Sequence, residues 1–372
     1  MLTKDALIEK SRELGFVDIG FTTAEVFESQ QEVLRERHEL YAWAAALDLP
    51  GGTDPKSFLE DAKSIVVLLE GYFREGFPTA LERHFGRCYL DDDRVTGGGL
   101  SRRIQEFLSY LGEHEIQSAT PFGLPHRLAA ARAGLGTFGK NCLFYSRRAA
   151  RGSSWVLPVA VVVNQEFPPD APTSEVGCPD WCRNTCIVAC PTQALKAPRK
   201  IDPRRCISYL SYYGEGITPM ELREPMGLWV YGCDHCQNVC PRNQPWQAQD
   251  LPVNEKVAAK VGDFDLSRLL HMDVEHYQTR VWPHMFYMPR EDPWRWKMNA
   301  ARVMGNTLDE RYIPDLARTL AEEDDPRVAG MAAWALGRIG GPEARAALES
   351  LAERTDMNAL TREEIALALG QC

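Results

Sequence analysis

The sequence predicts three successive parts: an α/β domain at residues 1–167, a bacterial-ferredoxin-like double [4Fe–4S] domain at 174–246 and a C-terminal HEAT-like α-solenoid at 293–372. Apolar patterns of helical and strand period alternate in the first part, as they do in α/β domains. Eight of the eleven cysteines lie between residues 178 and 240. An alanine-rich segment that ends in glycine recurs after residue 300, which is typical of helical repeats. Residues 247–292 are expected to form a connector.

The elements of the α/β domain are predicted from capping residues and apolar periodicity. Thr3 can cap a helix that ends at Gly15. Ser64–Leu69 is short, apolar and largely β-branched, which favours a central strand buried on both faces. Three further segments show strand alternation, helical spacing or a buried apolar run: a strand at 16–21, a helix at 100–112 and a strand at 155–163.

A glycine-rich stretch, Ala133–Asn141, is the most suggestive part of this domain. Its glycines, Gly134 and Gly136 among them, allow a backbone to approach a ligand closely. Lys140 suits a phosphate or a carboxamide oxygen. A tight connection between a helix and a strand explains the same pattern, and the stretch taken alone favours that interpretation.

The cysteines form two runs with one residue between them: Cys178, Cys182, Cys186 and Cys190-Pro191, then Cys206, then Cys233, Cys236 and Cys240-Pro241. The closing Cys-x2-Cys-x3-Cys-Pro spacing is the one that wraps a [4Fe–4S] cluster. In two-cluster ferredoxins, the cysteine before each proline ligates the other cluster. This rule predicts two crossed sets of ligands: Cys178, Cys182, Cys186 and Cys240 for the first cluster, and Cys206, Cys233, Cys236 and Cys190 for the second.

A pair of structural zinc sites is the alternative, because zinc also binds Cys-x2-Cys pairs. Two separate Cys-x3-Cys-Pro closures favour iron–sulfur clusters. The first run departs from the usual ferredoxin pattern, since its spacings are x3, x3 and x3. Cys88 and Cys142 are expected to be small buried residues.

The C-terminal part is predicted to be a short solenoid. Ala300–Gly305 recurs as Ala332–Gly337 and again as Ala366–Gly370. Each helical hairpin of such a solenoid buries its apolar face on its neighbour, and such repeats more often recognise or brace than catalyse.

Composition narrows the partners and the compartment. The formal net charge of −10 argues against gross, non-specific nucleic-acid binding. No secretory segment or membrane-spanning apolar stretch is apparent. Thiolate clusters fit a reducing compartment, so a cytoplasmic protein is expected. A monomer without a membrane partner is also expected.

The order of these parts resembles the epoxyqueuosine reductase family over nearly the whole chain, although the likeness over residues 1–115 is weak. Five stretches carry the resemblance: Ala133–Asn141, Cys190–Leu195, Arg205–Leu210, Tyr231–Gln237 and Trp296–Gly305. The resemblance implies a corrinoid-binding α/β domain, two [4Fe–4S] clusters and a helical repeat. It also implies that electrons from a donor such as flavodoxin or ferredoxin pass through the clusters to base-off cobalamin. The reduced cobalamin then converts epoxyqueuosine in tRNA to queuosine.

The resemblance further implies candidate corrinoid-binding residues, which lie in the glycine-rich stretch and beside the second cysteine run: Gly134, Gly136, Lys140, Asn141, Tyr231 and Asp234. The family places a proton-donating aspartate in a pattern like Asp-x-x-Pro-x-x-Glu-Arg. Counted back without gaps from Ala133, Thr120 stands at the aspartate and His126 at the glutamate, and only Arg127 is kept. Thr120 holds its proton too tightly near pH 7, so His126 is the candidate substitute. A surface or helix-capping histidine is the plainer interpretation, and Asp91–Asp93 are other candidate carboxylates.

Charge gives two candidate contacts for tRNA. Residues 294–372 contain ten Lys or Arg against thirteen Asp or Glu, which is a poor platform for a nucleic acid. Two basic segments are better candidates: Lys140, Arg147, Arg148 and Arg151, and Lys196, Arg199, Lys200, Arg204 and Arg205. A solvated surface explains both segments equally well. Two other functions stay open, namely a paralogous corrinoid reductase with a different substrate and a non-enzymatic electron carrier.

Overall fold

The computed structural model describes residues 2–91, 99–173, 177–284, 288–354 and 356–370. The chain divides into two compact units, each assembled from separate segments. The first unit contains Met1–Arg74, Gly97–Pro203 and His235–Leu251; the second contains Glu75–Thr96, Arg204–Asp234 and Pro252–Cys372. The cysteine region is therefore divided: Cys206 and Cys233 belong to the second unit and its other six cysteines to the first. The predicted sequential boundaries do not coincide with these units.

The strands of the first unit form one main sheet and two hairpins. Their bounds are β1 Asp18–Thr23, β2 Ser64–Gly71, β3 Ser118–Ala119, β4 Gly136–Phe138, β5 Phe144–Ser146, β6 Val156–Val163, β7 Leu195–Ala197 and β8 Lys200–Ile201. The main sheet has the order β1-β2-β6-β3, and all its neighbouring pairs are antiparallel. β4 pairs with β5, and β7 pairs with β8.

The helices are mostly short before residue 290 and long after it. The first nine are α1 Lys4–Glu13, α2 Glu28–Glu36, α3 Arg87–Leu90, α4 Gly99–Glu113, α5 His126–Arg132, α6 Thr185–Val188, α7 Ile207–Tyr212, α8 Met220–Arg223 and α9 His235–Asn238. The next nine are α10 Gln244–Gln247, α11 Glu255–Ala258, α12 Leu266–Leu270, α13 Val274–His276, α14 Trp294–Thr307, α15 Ile313–Glu322, α16 Pro326–Ile339, α17 Gly341–Ala352 and α18 Ala359–Leu369. Within the described ranges, no helix is long and apolar enough to cross a membrane.

The main sheet is covered on both faces, as the apolar sequence of β2 predicts. Every residue of β2 is buried. Successive side chains of a strand point to opposite faces, so Val66 and Leu68 pack with α1 and α4, whereas Ile65 and Val67 pack with α5. The predicted helix at 100–112 is α4, and Thr3 caps α1 by accepting a hydrogen bond from the Ala6 amide.

The recurring glycines explain how the helices of the second unit approach one another. A Cβ atom on Gly305 of α14 would lie 2.8 Å from the Ala335 Cα atom of α16. A Cβ atom on Gly337 of α16 would lie 2.8 Å from the Ala368 Cα atom of α18. The repeated Ala-rich motif is therefore the contact surface between successive repeats, and the predicted HEAT-like solenoid is confirmed.

Candidate metal centre

Four cysteines of the first unit meet in the combination that the crossed pattern predicts. Cys186 lies on α6 and is buried. Burial, followed by the neighbouring charges of Cys178, Cys240 and Cys182, raises the pKa of its thiol to about 11. Cys240 follows α9 and comes from the other end of the cysteine region, yet it interacts with the first run. The set offers four thiols, the number that a cube of four irons requires, and its assignment as one ligand set stays a prediction.

The first run accommodates its long spacing through a left-handed residue. Asn184, between Cys182 and Cys186, has φ +61°, a conformation that asparagine tolerates better than most residues. Within the described part of the chain, no three His, Cys, Asp or Glu side chains lie close enough to share a single metal ion. A cube binds each thiolate on a different iron, which spaces the four sulfur atoms more widely than the ligands of one ion.

The β4–β5 hairpin brings its turn against this first set. The Lys140 backbone N–H donates to Cys178 Sγ over 3.2 Å, and Lys140 Nζ donates to the Cys182 carbonyl oxygen over 2.9 Å. The turn closes where the Gly139 amide donates to the Leu143 carbonyl oxygen over 2.9 Å. Lys140 is thus committed to the cysteine loop on both its backbone and its side chain.

A tyrosine on β5 contacts the fourth cysteine. The Tyr145 hydroxyl donates to Cys240 Sγ over 3.1 Å. Asn141 Nδ2 donates to the Tyr145 hydroxyl oxygen over 3.0 Å and to the Cys236 carbonyl oxygen over 3.3 Å. Burial, followed by the charge of Cys240, raises the pKa of Tyr145 well above its usual range. This side chain therefore stays a hydroxyl donor.

The glycines of the stretch make room for protein atoms. A Cβ atom on Gly136 would lie 2.0 Å from the Tyr145 carbonyl oxygen, and one on Gly139 would lie 2.4 Å from the Tyr145 ring. Gly134 has φ +71°, and a Cβ atom there would lie 2.4 Å from the Ala171 carbonyl oxygen. The stretch is the tight connection that its sequence favours. Its assignment to a corrinoid stays a prediction, because these contacts are all with the protein itself.

Arg242 connects the hairpin to the start of the first cysteine run. Its guanidinium donates to the Gly177 carbonyl oxygen and, over 3.3 Å, to the Ser146 carbonyl oxygen. It also lies 4.8 Å from the centre of the Tyr145 ring. Gly177 precedes Cys178, and Ser146 follows Tyr145. Arg242 therefore links the backbone beside Cys178 to the backbone beside Tyr145.

The loop that carries Cys233 is held inside the second unit by the first solenoid helix. Tyr231 stacks on Trp296 of α14, with ring centres 4.9 Å apart and planes 5° apart. Asp234 is buried and accepts the Arg87 backbone N–H over 2.8 Å. Both candidate corrinoid residues of this loop have protein contacts within the second unit, and their assignment to a corrinoid stays a prediction.

Buried charged side chains of the solenoid also contact the segment that precedes this loop. Arg302 donates to the carbonyl oxygens of Gly227, over 2.9 Å, and Trp229. Burial lowers the pKa of Arg302 to about 9, so two carbonyl acceptors are what stabilise its charge. Arg223 on α8 forms a bidentate ion pair with Glu364 on α18, in which both nitrogen–oxygen distances are 2.6 Å. Leaving one member of such a buried pair alone typically costs about 3–5 kcal/mol.

The two candidate proton donors have different surroundings. Thr120 is exposed directly after β3. His126 begins α5, and both its ring nitrogens contact backbone groups: Nδ1 accepts the Ala160 N–H over 3.0 Å, and Nε2 lies 2.8 Å from the Pro121 carbonyl oxygen. This pattern requires a neutral ring with its proton on Nε2, which favours a positioning role for His126. Asp92 and Asp93 lie outside the described residues.

A groove of about 420 Å³ in the first unit is lined by basic side chains at the open end of the same hairpin. Arg12, Arg147 and Arg148 line it, and Arg12 and Arg148 interact electrostatically with Asp18, which lines the same groove. Lys4 is paired there with Asp170 over 2.6 Å. Burial raises the pKa of Asp18, which shares the groove, while the nearby Arg148 charge opposes that rise. Four basic side chains therefore share the groove with two carboxylates, Asp18 and Asp170, and positive charge predominates.

Two family models match parts of the chain. A 4Fe-4S double cluster binding domain matches residues 178–243, and HEAT repeats match residues 288–370. The first match confirms the predicted class of this region, a domain that binds two [4Fe–4S] clusters. The matched range contains all eight cysteines that the spacing singled out, whereas no motif in the sequence marks Tyr145.

Similar proteins cover nearly the whole chain. Epoxyqueuosine reductase from Bacillus cereus is 30% identical over 368 residues, which are 94% of this chain and 93% of that protein. The structure of epoxyqueuosine reductase from Bacillus subtilis, with an aspartate-bearing catalytic loop swung out of the active site, superposes with a TM-score of 0.84 and 27% identity over 99% of this chain and 98% of that one. An epoxyqueuosine reductase with an epoxyqueuosine-modified tRNA-Tyr stem loop gives 0.81 and 27% over the same shares.

Proposed function

Because the chain belongs to the epoxyqueuosine reductase family, we propose that it is an oxidoreductase that reduces epoxyqueuosine to queuosine in tRNA. Two [4Fe–4S] clusters carry the electrons, on the crossed ligand sets that the sequence predicts. The observation that carries the proposal is that Cys178 and Cys240, from opposite ends of the cysteine region, both accept hydrogen bonds from the β4–β5 hairpin. This arrangement gives an enzyme of this family a complete thiolate set within one compact unit.

We propose base-off cobalamin as the second cofactor, on the strength of the family. Cobalamin would supply a strongly reducing cobalt that opens the epoxide. The six candidate residues, Gly134, Gly136, Lys140, Asn141, Tyr231 and Asp234, remain the proposed corrinoid contacts on the strength of the family resemblance. A low-potential donor such as flavodoxin or ferredoxin and a cytoplasmic location complete the proposal. A non-enzymatic carrier is disfavoured, since the related proteins are reductases over their full length.

Cobalamin binding is the direct test of the proposed function. Anaerobically purified protein holding about eight irons is titrated with cob(II)alamin, and its visible spectrum is expected to shift to the base-off form. The loaded protein is then assayed on tRNA that contains epoxyqueuosine. Absence of any spectral change at equimolar protein would contradict the cobalamin proposal, and iron-free protein with stoichiometric zinc would contradict the cluster proposal.

A paralogous reductase acting on a different substrate is the second candidate. One observation favours it: Thr120 stands where the family pattern places its proton-donating aspartate. The two candidates share the clusters and the electron path. They differ in whether the chain as it stands turns over epoxyqueuosine at an ordinary rate.

The basic groove is proposed as a phosphate contact for the tRNA. Three guanidinium groups in one concave site with a net positive charge attract a phosphodiester, and each phosphate contact adds to the salt dependence of binding. Reversing Arg147 and Arg148 to Glu is expected to weaken binding of a tRNA stem loop and to reduce the slope of log K against log salt by about two. Binding is measured by fluorescence anisotropy at several salt concentrations.

A matched control separates the groove from net charge. Arg345 and Arg354 are exposed and paired with Glu349 and Asp356, so reversing them gives the same change in net charge away from the groove. An equal loss of affinity in this control variant would show a general charge effect. An unchanged salt slope in the groove variant would remove the groove from the tRNA contacts.

A further inference from the structure

The Tyr145 hydroxyl has one hydrogen, and its neighbours determine where that hydrogen points. Asn141 Nδ2 donates to the Tyr145 hydroxyl oxygen over 3.0 Å. The orientation of the Asn141 amide is fixed, because its Oδ1 atom accepts the Leu143 N–H over 3.3 Å. The Tyr145 hydrogen is therefore left for Cys240 Sγ, which lies 3.1 Å away. Asn141 and Tyr145 form a directed relay of two hydrogen bonds that ends on a thiolate.

The Tyr145 ring is held in this position from both sides. Gly139 leaves the space that the ring fills, since a Cβ atom there would lie 2.4 Å from it. The Arg242 guanidinium covers the ring at 4.8 Å and is itself bound to two backbone carbonyls. The attraction between this cation and the aromatic face helps to hold the ring where its hydroxyl reaches Cys240 Sγ.

A second donor acts on the same set of thiols. The Lys140 backbone N–H donates to Cys178 Sγ over 3.2 Å. Hydrogen bonds to cluster sulfurs stabilise negative charge, and a [4Fe–4S] cluster carries one more negative charge when it is reduced. Such bonds therefore raise the reduction potential. The Tyr145 contribution can be removed by mutation, whereas the backbone contribution of Lys140 cannot.

We propose that Tyr145 is a positioning residue that raises the reduction potential of the first cluster through its hydrogen bond to Cys240 Sγ, with Asn141 orienting the hydroxyl. The inference rests on the proposed function for one point only, namely that Cys178, Cys182, Cys186 and Cys240 hold a cluster. Reduction adds one electron to the cluster, the proton stays on the Tyr145 oxygen, and no covalent bond forms or breaks.

The test is a redox titration monitored by electron paramagnetic resonance, on full-length protein with both clusters. Tyr145→Phe removes the hydroxyl and keeps the ring. One of the two reduction steps is expected to move to a lower potential, and the other to stay in place. Tyr72→Phe is the matched control, because Tyr72 is also a tyrosine of the first unit whose hydroxyl donates to Gln237 Oε1 over 3.2 Å. Both steps are expected to stay in place in that control.

A failure of the proposed function can be distinguished from a failure of this inference. Wild-type protein without two clusters would contradict the proposed function itself. Wild-type protein with two clusters, combined with unchanged steps in Tyr145→Phe or equal shifts in Tyr72→Phe, would overturn the inference. Tyr145→Phe protein with only half the iron would also overturn it, because the hydroxyl would then be needed to retain the cluster.

A measurement on the unaltered chain keeps the inference testable if the variant folds poorly. After transfer to deuterated buffer, electron paramagnetic resonance of the reduced first cluster is expected to show hyperfine coupling to the exchangeable deuteron on the Tyr145 oxygen. Its absence would overturn the hydrogen bond.

Discussion

Replacing Thr120 by aspartate is expected to accelerate turnover of epoxyqueuosine in tRNA by about 10²–10⁴-fold, the usual contribution of a positioned general acid. Removal of an epoxide oxygen leaves an oxyanion that must be protonated. A threonine hydroxyl does not release its proton near pH 7, whereas a carboxylic acid that the bound substrate keeps protonated can donate its proton to the oxyanion. Thr120 lies exposed after β3, so the new side chain has room. The rate is measured under single-turnover conditions with cobalamin-loaded protein.

Two further variants make this experiment decisive. Thr120→Asn has the shape of the aspartate without its proton and is expected to stay as slow as the wild type. His126→Ala tests the substitute donor that the sequence suggested, and full activity in that variant would exclude it. Vigorous turnover by the wild-type chain would show that the proton comes from another group.

Cys240→Ala is expected to lose about half of the iron, the share of one of two equal clusters. Cys233→Ala is expected to lose the same share, but from the other cluster. The crossed pattern therefore predicts that the double variant Cys233→Ala/Cys240→Ala retains almost no iron. Iron and acid-labile sulfide are measured on anaerobically purified protein.

The double variant distinguishes crossed from uncrossed ligation. If Cys233 and Cys240 served the same cluster, the double variant would keep the other one and half of the iron. The single variants also identify the clusters, because the reduction step that depends on Tyr145 should vanish in Cys240→Ala and persist in Cys233→Ala.

The sequence predicted those features that follow from a local repeat or spacing. β2 was recognisable because its apolar residues cover two faces, and the solenoid because its Ala-rich motif recurs. The double-cluster class of the cysteine region was recognisable from the closing Cys-x2-Cys-x3-Cys-Pro spacing, whereas the crossed ligand sets stay a prediction. These signals lie within short stretches of chain, so one sequence is enough to read them.

The features that the sequence did not predict depend on contacts between distant segments. Tyr145 and Cys240 are 95 residues apart, and nothing near Tyr145 marks it as a partner of a thiol. The glycines of the 133–141 stretch looked suited to a ligand, because the Tyr145 ring that fills the space beside Gly139 lies outside that stretch. The division of the cysteine region between two units likewise arises from tertiary packing.

The support that α14 gives to the Tyr231–Asp234 loop sets an order for biosynthesis. A ribosome releases the chain from its N-terminus, and compact units fold as they become available. All four cysteines of the first set have been synthesised once Cys240 is added, more than fifty residues before α14 begins at Trp294. The loop around Cys233 gains its stacking partner Trp296 and the guanidinium of Arg302 only later, and Glu364 near the C-terminus completes the ion pair with Arg223. The first metal site can therefore mature on the nascent chain, while the Cys233 loop reaches its final conformation only when synthesis is nearly finished.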